Sequence, residues 1–217
     1  MKKKIILFLL LLSVLTPLMA INDDSINTVF QDGHFNTQYK IRVKASEKIA
    51  SEMANYLLND FHNSPGNLFN WALKDLGLQD KKKNDIIFIL KSSKTDTKTG
   101  ITYGQFDIIV PYFTTFKNVK VNAIVSMTKY NNGEMKIIAN IIYSSLLLKY
   151  ALGTITIVPQ KNNELLFITN VSIKFGWFFN IFITRNRYKS IVEWRIKKFT
   201  ENLKKECEQR QNVILSN

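Results

Sequence analysis

The architecture of this chain is set by residues 119–143, which read VKVNAIVSMTKYNNGEMKIIANIIY. Apolar and polar residues alternate on both sides of Asn131-Asn132-Gly133, and this period of two predicts β-strands. Asn and Gly accept the positive φ angles that a tight hairpin turn requires. The residues expected on one face are Val119, Val121, Ala123, Val125 and Met127, then Met135, Ile137, Ala139, Ile141 and Tyr143. The segment therefore predicts an antiparallel hairpin.

The alternating pattern continues outward from the hairpin. Two strands are predicted before it, in residues 85–93 and 100–112. After it, residues 146–158 hold a connection and a further strand, and residues 165–175 alternate again. Short turns between neighbouring strands predict an antiparallel meander of about six strands.

Helical patterns flank this meander. Residues 35–45 predict a first strand, and Ser46 then caps a helix that runs to Phe61. Residues 67–77 predict a second, short helix. The last element is a long amphipathic helix. Its apolar stripe consists of Tyr188, Val192, Ile196, Phe199 and Leu203.

The first 20 residues, MKKKIILFLLLLSVLTPLMA, have the pattern of a secretory signal: lysines, an apolar run and a small residue, Ala20, at the cut. The apolar run is too short for a stable membrane span; an uncleaved N-terminal anchor is the alternative. We therefore expect an exported bacterial protein, periplasmic or secreted. Residues 21–34 are predicted to be a flexible lead-in, 35–210 one domain, and 211–217 a tail.

The chain is strongly basic, which bears on its partners. The formal net charge is +13, and removing the three lysines of the signal leaves +10. Such a charge favours contact with anionic surfaces. Export argues against nucleic acid as the partner, and most basic residues are interleaved with acids, which predicts a solvated face. Attraction to an anionic membrane surface is the alternative interpretation.

Residues that carry chemistry are sparse. Cys207 is the single cysteine, so an intrachain disulfide is excluded. The two histidines, His34 and His62, lack the spacing of metal ligands, and we predict neither a metal site nor a cofactor. A cyclase- or hydrolase-like enzyme would need a polar pair deep in the interior, for which Asp107 with a tyrosine is the candidate.

The order of elements resembles the helix-grip fold of START-like and polyketide-cyclase-like (SRPBCC) proteins, over about residues 35–208. The apolar corner from Phe175 to Ile183 and the finish Leu203-Lys204-Lys205-Glu206 add to the resemblance. It implies an α+β fold in which a curved antiparallel sheet of about seven strands surrounds a long C-terminal helix. It also implies a cavity for sterols, phospholipids, aromatic polyketides or other apolar ligands, and no shared catalytic residues.

Aromatic residues mark the candidate site. Core packing is the simple interpretation; the functional one is a cavity wall with an apolar mouth. The candidate ligand-binding residues are Tyr103, Gln105, Tyr112, Phe113, Tyr143 and Trp177. The candidate membrane-contact residues are Phe178, Phe179, Phe182, Arg185 and Arg187, because apolar residues beside cations suit a membrane interface.

These observations together predict an exported, non-catalytic protein that binds a lipid-like or aromatic small molecule in an internal cavity. Two alternatives remain open at this point. One is an envelope-associated interaction protein whose interior is filled by its own side chains. The other is a cyclase- or hydrolase-like enzyme that uses the same cavity.

Overall fold

The computed structural model describes residues 24–66, 87–110, 112–145, 148–177, 180 and 183–215. The strands are β1 Ile26–Gln31, β2 His34–Val43, β3 Ile87–Thr95, β4 Thr102–Val110, β5 Thr114–Lys129, β6 Met135–Ser144, β7 Leu148–Pro159 and β8 Leu165–Phe175. Helix α1 spans Glu47–Asn63. The closing helix consists of α2 Arg185–Tyr188, a π-helical turn Lys189–Glu193, and α3 Trp194–Leu215.

The strands form one eight-stranded sheet in the order β1-β2-β8-β7-β6-β5-β4-β3, with every neighbouring pair antiparallel. Strands β3 to β8 follow one another as a meander, which confirms the six predicted strands. The register shifts within the β3–β4, β4–β5, β5–β6 and β7–β8 pairs. Such bulges increase the local twist and bend the sheet.

Residues 26–31 correct the predicted flexible lead-in and raise the predicted strand number to eight. They form β1, which pairs with β2 from Ile26 opposite Tyr39 to Gln31 opposite His34. The connecting turn is Asp32-Gly33, with φ angles of 52° and 76°. A two-residue hairpin of this kind requires positive φ at both central residues. The Asp-Gly pair is typical of such a hairpin turn, although the polar composition around it is also typical of a flexible segment.

The main core lies between the sheet and the closing helix. Tyr39, Ile41 and Val43 of β2 and Leu165 and Phe167 of β8 are buried. They pack with three buried side chains of the closing helix: Ile196, Leu203 and Cys207. Full burial of one such aliphatic side chain contributes about 1.5–3 kcal/mol. The predicted stripe is confirmed, because Tyr188 is also buried and Val192 and Phe199 pack against the core.

Helix α1 confirms the helix predicted after Ser46. Its apolar face contributes Ile49, Ala50 and Met53 to the main core. In the described residues, no helix has the length and apolar character needed to cross a membrane. The predicted signal segment, residues 1–20, and the second helix, residues 67–77, lie outside the described residues.

The predicted tail, residues 211–217, is helical as far as Leu215. The side-chain oxygen Oε1 of Gln211 accepts a hydrogen bond from the backbone N–H of Ser46 at 2.9 Å. Glu208, one turn earlier, accepts one from the backbone N–H of Lys44 at 3.0 Å. These contacts join the end of the closing helix to the segment between β2 and α1, so the tail prediction is wrong for residues 211–215.

Candidate functional site

The concave face of the sheet, which we define as the face toward the closing helix, is mostly apolar across β5 to β8. Directly paired residues of antiparallel strands project to the same face, so the register identifies its members. Three neighbouring rows run across the four strands: Met127, Ile137, Ile155 and Thr169; Val125, Ala139, Gly153 and Val171; Ala123, Ile141, Ala151 and Ile173.

The closing helix covers one side of this face more than the other. It packs against β2 and β8, where Tyr39, Thr169 and Phe167 are buried. Farther along the sheet, Ala123 and Val125 are only half-buried, and Ala139 is exposed. The centre of the concave face, on β5 to β7, is therefore less completely covered than the side under the helix.

Small residues form a recess in this centre, which we define as Ala123, Ala139, Ala151 and Gly153. Ala139 and Gly153 are direct cross-strand partners, and Ala123 and Ala151 both pair with Ile141. A Cβ atom added at Gly153 would meet, among the described residues, only the backbone oxygen of Ala139, at 3.9 Å. Because a tightly packed interior leaves few such gaps, the recess is the part of the concave face best suited to hold an apolar group.

Buried hydroxyl groups beside the recess are paired with one another. Thr37 Oγ1 lies 2.8 Å from the phenolic oxygen of Tyr188, and Thr169 Oγ1 lies 2.9 Å from Thr200 Oγ1. Burial raises the pKa of Tyr188 to about 12, although the hydrogen bond with Thr37 opposes this. The neutral phenol is therefore the form at ordinary pH, and these groups stabilise the contact between sheet and helix.

Tyr39 has a separate partner, an acidic residue that precedes β1. Its hydroxyl donates to Asp24 Oδ1 at 2.6 Å. Burial and then the interaction with Asp24 raise the pKa of Tyr39 far above its ordinary value. A phenol held neutral in this way is a structural hydrogen-bond donor and not a source of phenolate.

Ser144 differs from the paired hydroxyls. Its Oγ atom is buried and, within the described part of the chain, has no hydrogen-bond partner. Ser144 lies opposite Val121, which in turn lies opposite Gly104, so the register puts it on the concave face. An unsatisfied buried hydroxyl costs about 1–3 kcal/mol. A group that supplied a hydrogen bond at this position would recover part of that cost.

Two predicted ligand-binding residues lie on the opposite, outer face. Tyr103 and Gln105 alternate along β4 with Thr102, Gly104 and Phe106, which are buried on the concave face. They line an outer-face cleft of about 730 Å³. The side-chain N–H of Gln105 donates to Asn118 Oδ1 at 2.9 Å. Their predicted role in an internal cavity is contradicted, because residues one position apart in a strand point to opposite faces.

Tyr143 also lies on the outer face, for a different reason. It pairs with Asn122, whereas the next pair along the two strands is Ile141 with Ala123. Ile142 is the extra residue of this bulge, and such an insertion changes which face the following side chains occupy. Tyr143 is 50% exposed. Its predicted place beside Ile141 is therefore wrong.

The other three predicted ligand residues lie on connections. Tyr112 and Phe113 are in the β4–β5 turn and are 94% and 53% exposed. Trp177 follows β8 and is 73% exposed. None of the three belongs to the rows that form the recess, so a contact with a bound ligand stays a prediction for them.

The predicted membrane-contact residues divide into two sets. Arg185 and Arg187 are exposed in the first turn of the closing helix. The guanidinium of Arg185 lies 4.9 Å from the ring centre of Phe30. Phe178, Phe179 and Phe182 lie outside the described residues.

Asp107, the acid considered for catalysis, is not on the concave face. It stands between Phe106 and Ile108, whose side chains are buried there. Its carboxylate lies 3.6 Å from Lys91 Nζ and accepts a hydrogen bond from the backbone N–H of Asn118 at 2.9 Å. In the described segments, His, Cys, Asp and Glu side chains form no group of three or more that could hold a metal ion.

A curved antiparallel sheet packed around a long C-terminal helix, with an apolar concave face, defines the helix-grip fold of START-like and polyketide-cyclase-like proteins. The predicted fold is therefore confirmed. A conserved protein from Geobacillus kaustophilus has a similar structure, with a TM-score of 0.50 and 14% sequence identity over 80% of this chain and 95% of that one.

Two further solved structures are similar at lower TM-scores. Truncated norcoclaurine synthase from Thalictrum flavum has a TM-score of 0.41 and 14% identity, over 81% of this chain and 96% of that one. The di-domain ARO/CYC StfQ from the steffimycin biosynthetic pathway has a TM-score of 0.48 and 10% identity, over 83% of this chain and 53% of that one. No family model matches the chain, and no curated protein matches it.

Proposed function

We propose that this chain is an exported protein that binds a lipid-like or aromatic small molecule against the concave face of its sheet, without catalysis. The observation that carries the proposal is the recess of Ala123, Ala139, Ala151 and Gly153, where, of the described atoms, only the backbone oxygen of Ala139 lies within 4 Å of a Cβ added at Gly153. Ligand sites in proteins are concave and mostly apolar, with few polar groups that orient the ligand. The rows around the recess have this composition.

The polar groups of the concave face support binding without chemistry. In the described residues, its buried threonines and Tyr188 are hydrogen-bonded to one another. General acid–base catalysis requires a group with a pKa near the working pH, and the pKa of Tyr188 is raised to about 12. Ser144 Oγ is the buried group that a ligand oxygen could satisfy, so we favour a ligand with an apolar body and one hydrogen-bonding group.

Matched substitutions on neighbouring residues test the recess. Ala139→Leu fills it from β6, whereas Asn140→Leu adds the same side chain on the outer face. Gly153→Val and Thr154→Val form a second pair on β7. We expect each concave-face variant to weaken binding of a fluorescent fatty-acid analogue by at least about tenfold, and each outer-face variant to bind like the wild type.

The same variants distinguish a recess from a filled core. Side chains that enter open space leave the free energy of unfolding nearly unchanged, whereas overpacking a filled core costs about 1–3 kcal/mol. Large destabilisation by Ala139→Leu and Gly153→Val, with no probe binding by the wild type, would overturn the proposal in favour of a filled interior. Mass spectrometry of protein from its native host should also show a co-purifying apolar molecule.

Export rests on the pattern of residues 1–20 and has its own test. The intact mass of the protein from the exported fraction should correspond to residues 21–217. A full-length chain held in the membrane fraction would replace cleavage with an N-terminal anchor. Neither outcome depends on the recess, so the two parts of the proposal fail separately.

A further inference from the structure

The strand ends and turns of the sheet lie along two opposite sides, which we call its two edges. These two edges carry different residues. Neighbouring strands are antiparallel, so the carboxyl ends of β4, β6 and β8 lie at one edge, together with the β1–β2 turn. Helix α1 lies at the opposite edge. Glu47, at its start, is 2.9 Å from Lys129 Nζ at the end of β5, and the backbone oxygen of Phe61 accepts a hydrogen bond from Thr95 Oγ1 at the end of β3.

The edge away from α1 carries exposed aromatic side chains on separate connections. Tyr112 and Phe113 are on the β4–β5 turn, Trp177 follows β8, and Phe30 lies next to the β1–β2 turn. Tyr112 is 94% exposed and Trp177 is 73% exposed. Large exposed apolar groups that share one end of a protein are candidates for a contact surface. We call these four residues the aromatic edge.

Cations accompany the aromatic edge. Lys117 near the start of β5, Lys149 near the start of β7, and Arg185 and Arg187 at the start of the closing helix are all exposed. Arg185 lies 4.9 Å from the centre of the Phe30 ring, so charge and aromatic surface are adjacent there. Two acidic residues of the described segments lie near these cations: Asp32 on the β1–β2 turn, and Asp107, which accepts a hydrogen bond from the backbone N–H of Asn118 and is paired with Lys91.

We infer that the aromatic edge docks on an anionic lipid bilayer. Tyr and Trp side chains favour the boundary between lipid and water, because their rings are apolar and their polar atoms remain hydrated. Basic residues next to them are attracted to anionic lipid headgroups. The rings are on separate connections and so can enter a soft interface independently, whereas a protein partner would need a separate pocket for each.

Vesicle flotation tests this inference on the exported form of the chain. Vesicles contain either phosphatidylglycerol with phosphatidylcholine, or phosphatidylcholine alone. We expect binding to the anionic vesicles, weakened by salt because headgroup attraction is screened. Failure of the wild type to bind anionic vesicles at low ionic strength would overturn the inference.

Matched variants locate the contact. Tyr112→Ser with Trp177→Ser removes two rings from the aromatic edge, and Tyr130→Ser removes an exposed ring from the β5–β6 turn at the opposite edge. Arg185→Glu with Arg187→Glu reverses two charges beside the aromatic edge. Lys98→Glu with Lys161→Glu reverses two charges at the opposite edge, near α1. We expect each aromatic-edge pair to lose at least about tenfold in binding, and the opposite-edge variants to stay close to wild type.

Two further points make this test specific for contact between the aromatic edge and lipid. Glutamate in the first turn of a helix favours the helix, so the charge-reversed variant should remain folded. Brominated lipid should quench the emission of wild-type Trp177, and Trp177→Phe should lose that quenched component while it still binds vesicles. Equal losses of vesicle binding by the variants at both edges, or no quenching of Trp177 emission by brominated lipid, would contradict the inference and indicate nonspecific attraction or a protein partner. Ala139→Leu should bind vesicles normally, since the inference does not depend on ligand binding.

Discussion

Thr37 Oγ1 lies 2.8 Å from the phenolic oxygen of Tyr188, and this hydrogen bond joins β2 to the first turn of the closing helix. The Tyr188 ring also stacks on the ring of Phe35, with centroids 4.1 Å apart. Thr28 Oγ1, on β1, lies 2.8 Å from Thr37 Oγ1. The start of the closing helix is therefore fixed to two strands by one chain of side-chain contacts.

Tyr188→Phe should lower the free energy of unfolding by about 1 kcal/mol, because it removes one buried hydrogen bond and retains the stacked ring. Tyr188→Ala should cost about 3–5 kcal/mol, since it also leaves a cavity. Urea unfolding followed by circular dichroism measures both. Tyr112→Phe is the control, because that hydroxyl is on a highly exposed side chain. Equal stabilities of Tyr188→Phe and the wild type would show that the hydrogen bond has no net effect.

Stability should fall in alkali. The pKa of Tyr188 is raised by burial from 10.0 to about 12, so the folded protein retains a proton that the unfolded chain has lost in this range. The contribution is present below about pH 10 and is lost as the pH rises toward about 12. The raised pKa of Tyr39 acts in the same direction.

Tyr188→Phe should therefore show a shallower decline between these pH values than the wild type. Urea midpoints at several pH values across the range give the slopes. Parallel slopes would mean that Tyr188 titrates alike in the folded and unfolded states.

Cys207 should be unreactive in the folded protein. It is 1% exposed, and burial raises the pKa of its thiol to about 12. Only the thiolate reacts with disulfide reagents, so labelling at about pH 8 should be negligible until urea unfolds the chain. Lys98→Cys in a Cys207→Ser background gives an exposed reference thiol. Rapid labelling of native Cys207 would mean that the closing helix opens locally.

Gly133 and Gly100 form a matched pair of turn glycines. Both have positive φ, 82° and 69°, which disfavours any residue with a Cβ. A Cβ at Gly133 would lie 2.7 Å from Glu47 Oε2, whereas at Gly100 it would meet no described atom within 4 Å. We expect Gly100→Ala to cost about 1 kcal/mol from the backbone alone.

Gly133→Ala should cost about 1 kcal/mol more than that, because it displaces Glu47 from its ion pair with Lys129. Thermal unfolding measures the difference. Adding Glu47→Ala should make the two glycine substitutions equivalent, and a persistent gap would place the collision on Pro159 instead.

Periodicity in the sequence was sufficient for most of the fold. The alternation from Val119 to Met127 identifies the concave face of β5, and the stripe from Tyr188 to Leu203 identifies the buried side of the closing helix. The alternation of side chains along β4 was also informative, because Tyr103 and Gln105 cannot lie on the same face as Phe106. The alternation along β4 therefore predicts the outer face for Tyr103 and Gln105.

The recess and the bulge could not be predicted from the sequence of one strand alone. Ala139 and Gly153 are 14 positions apart, and only the pairing of β6 with β7 makes them neighbours. The extra residue at Ile142 depends on how β5 pairs with β6, which the sequence of β6 alone does not reveal. Alanine and glycine inside strands ordinarily signal weak β propensity, so they did not stand out as the wall of a site.

The recess also has an evolutionary consequence. Ala139, Ala151 and Gly153 lie on β6 and β7, two strands that are held together by main-chain hydrogen bonds. A mutation that adds or removes a methyl group there changes the volume open to a guest molecule and leaves that ladder intact. Under the proposed function, lineages with this scaffold would diverge in ligand preference by single-codon steps while their backbones stay superimposable.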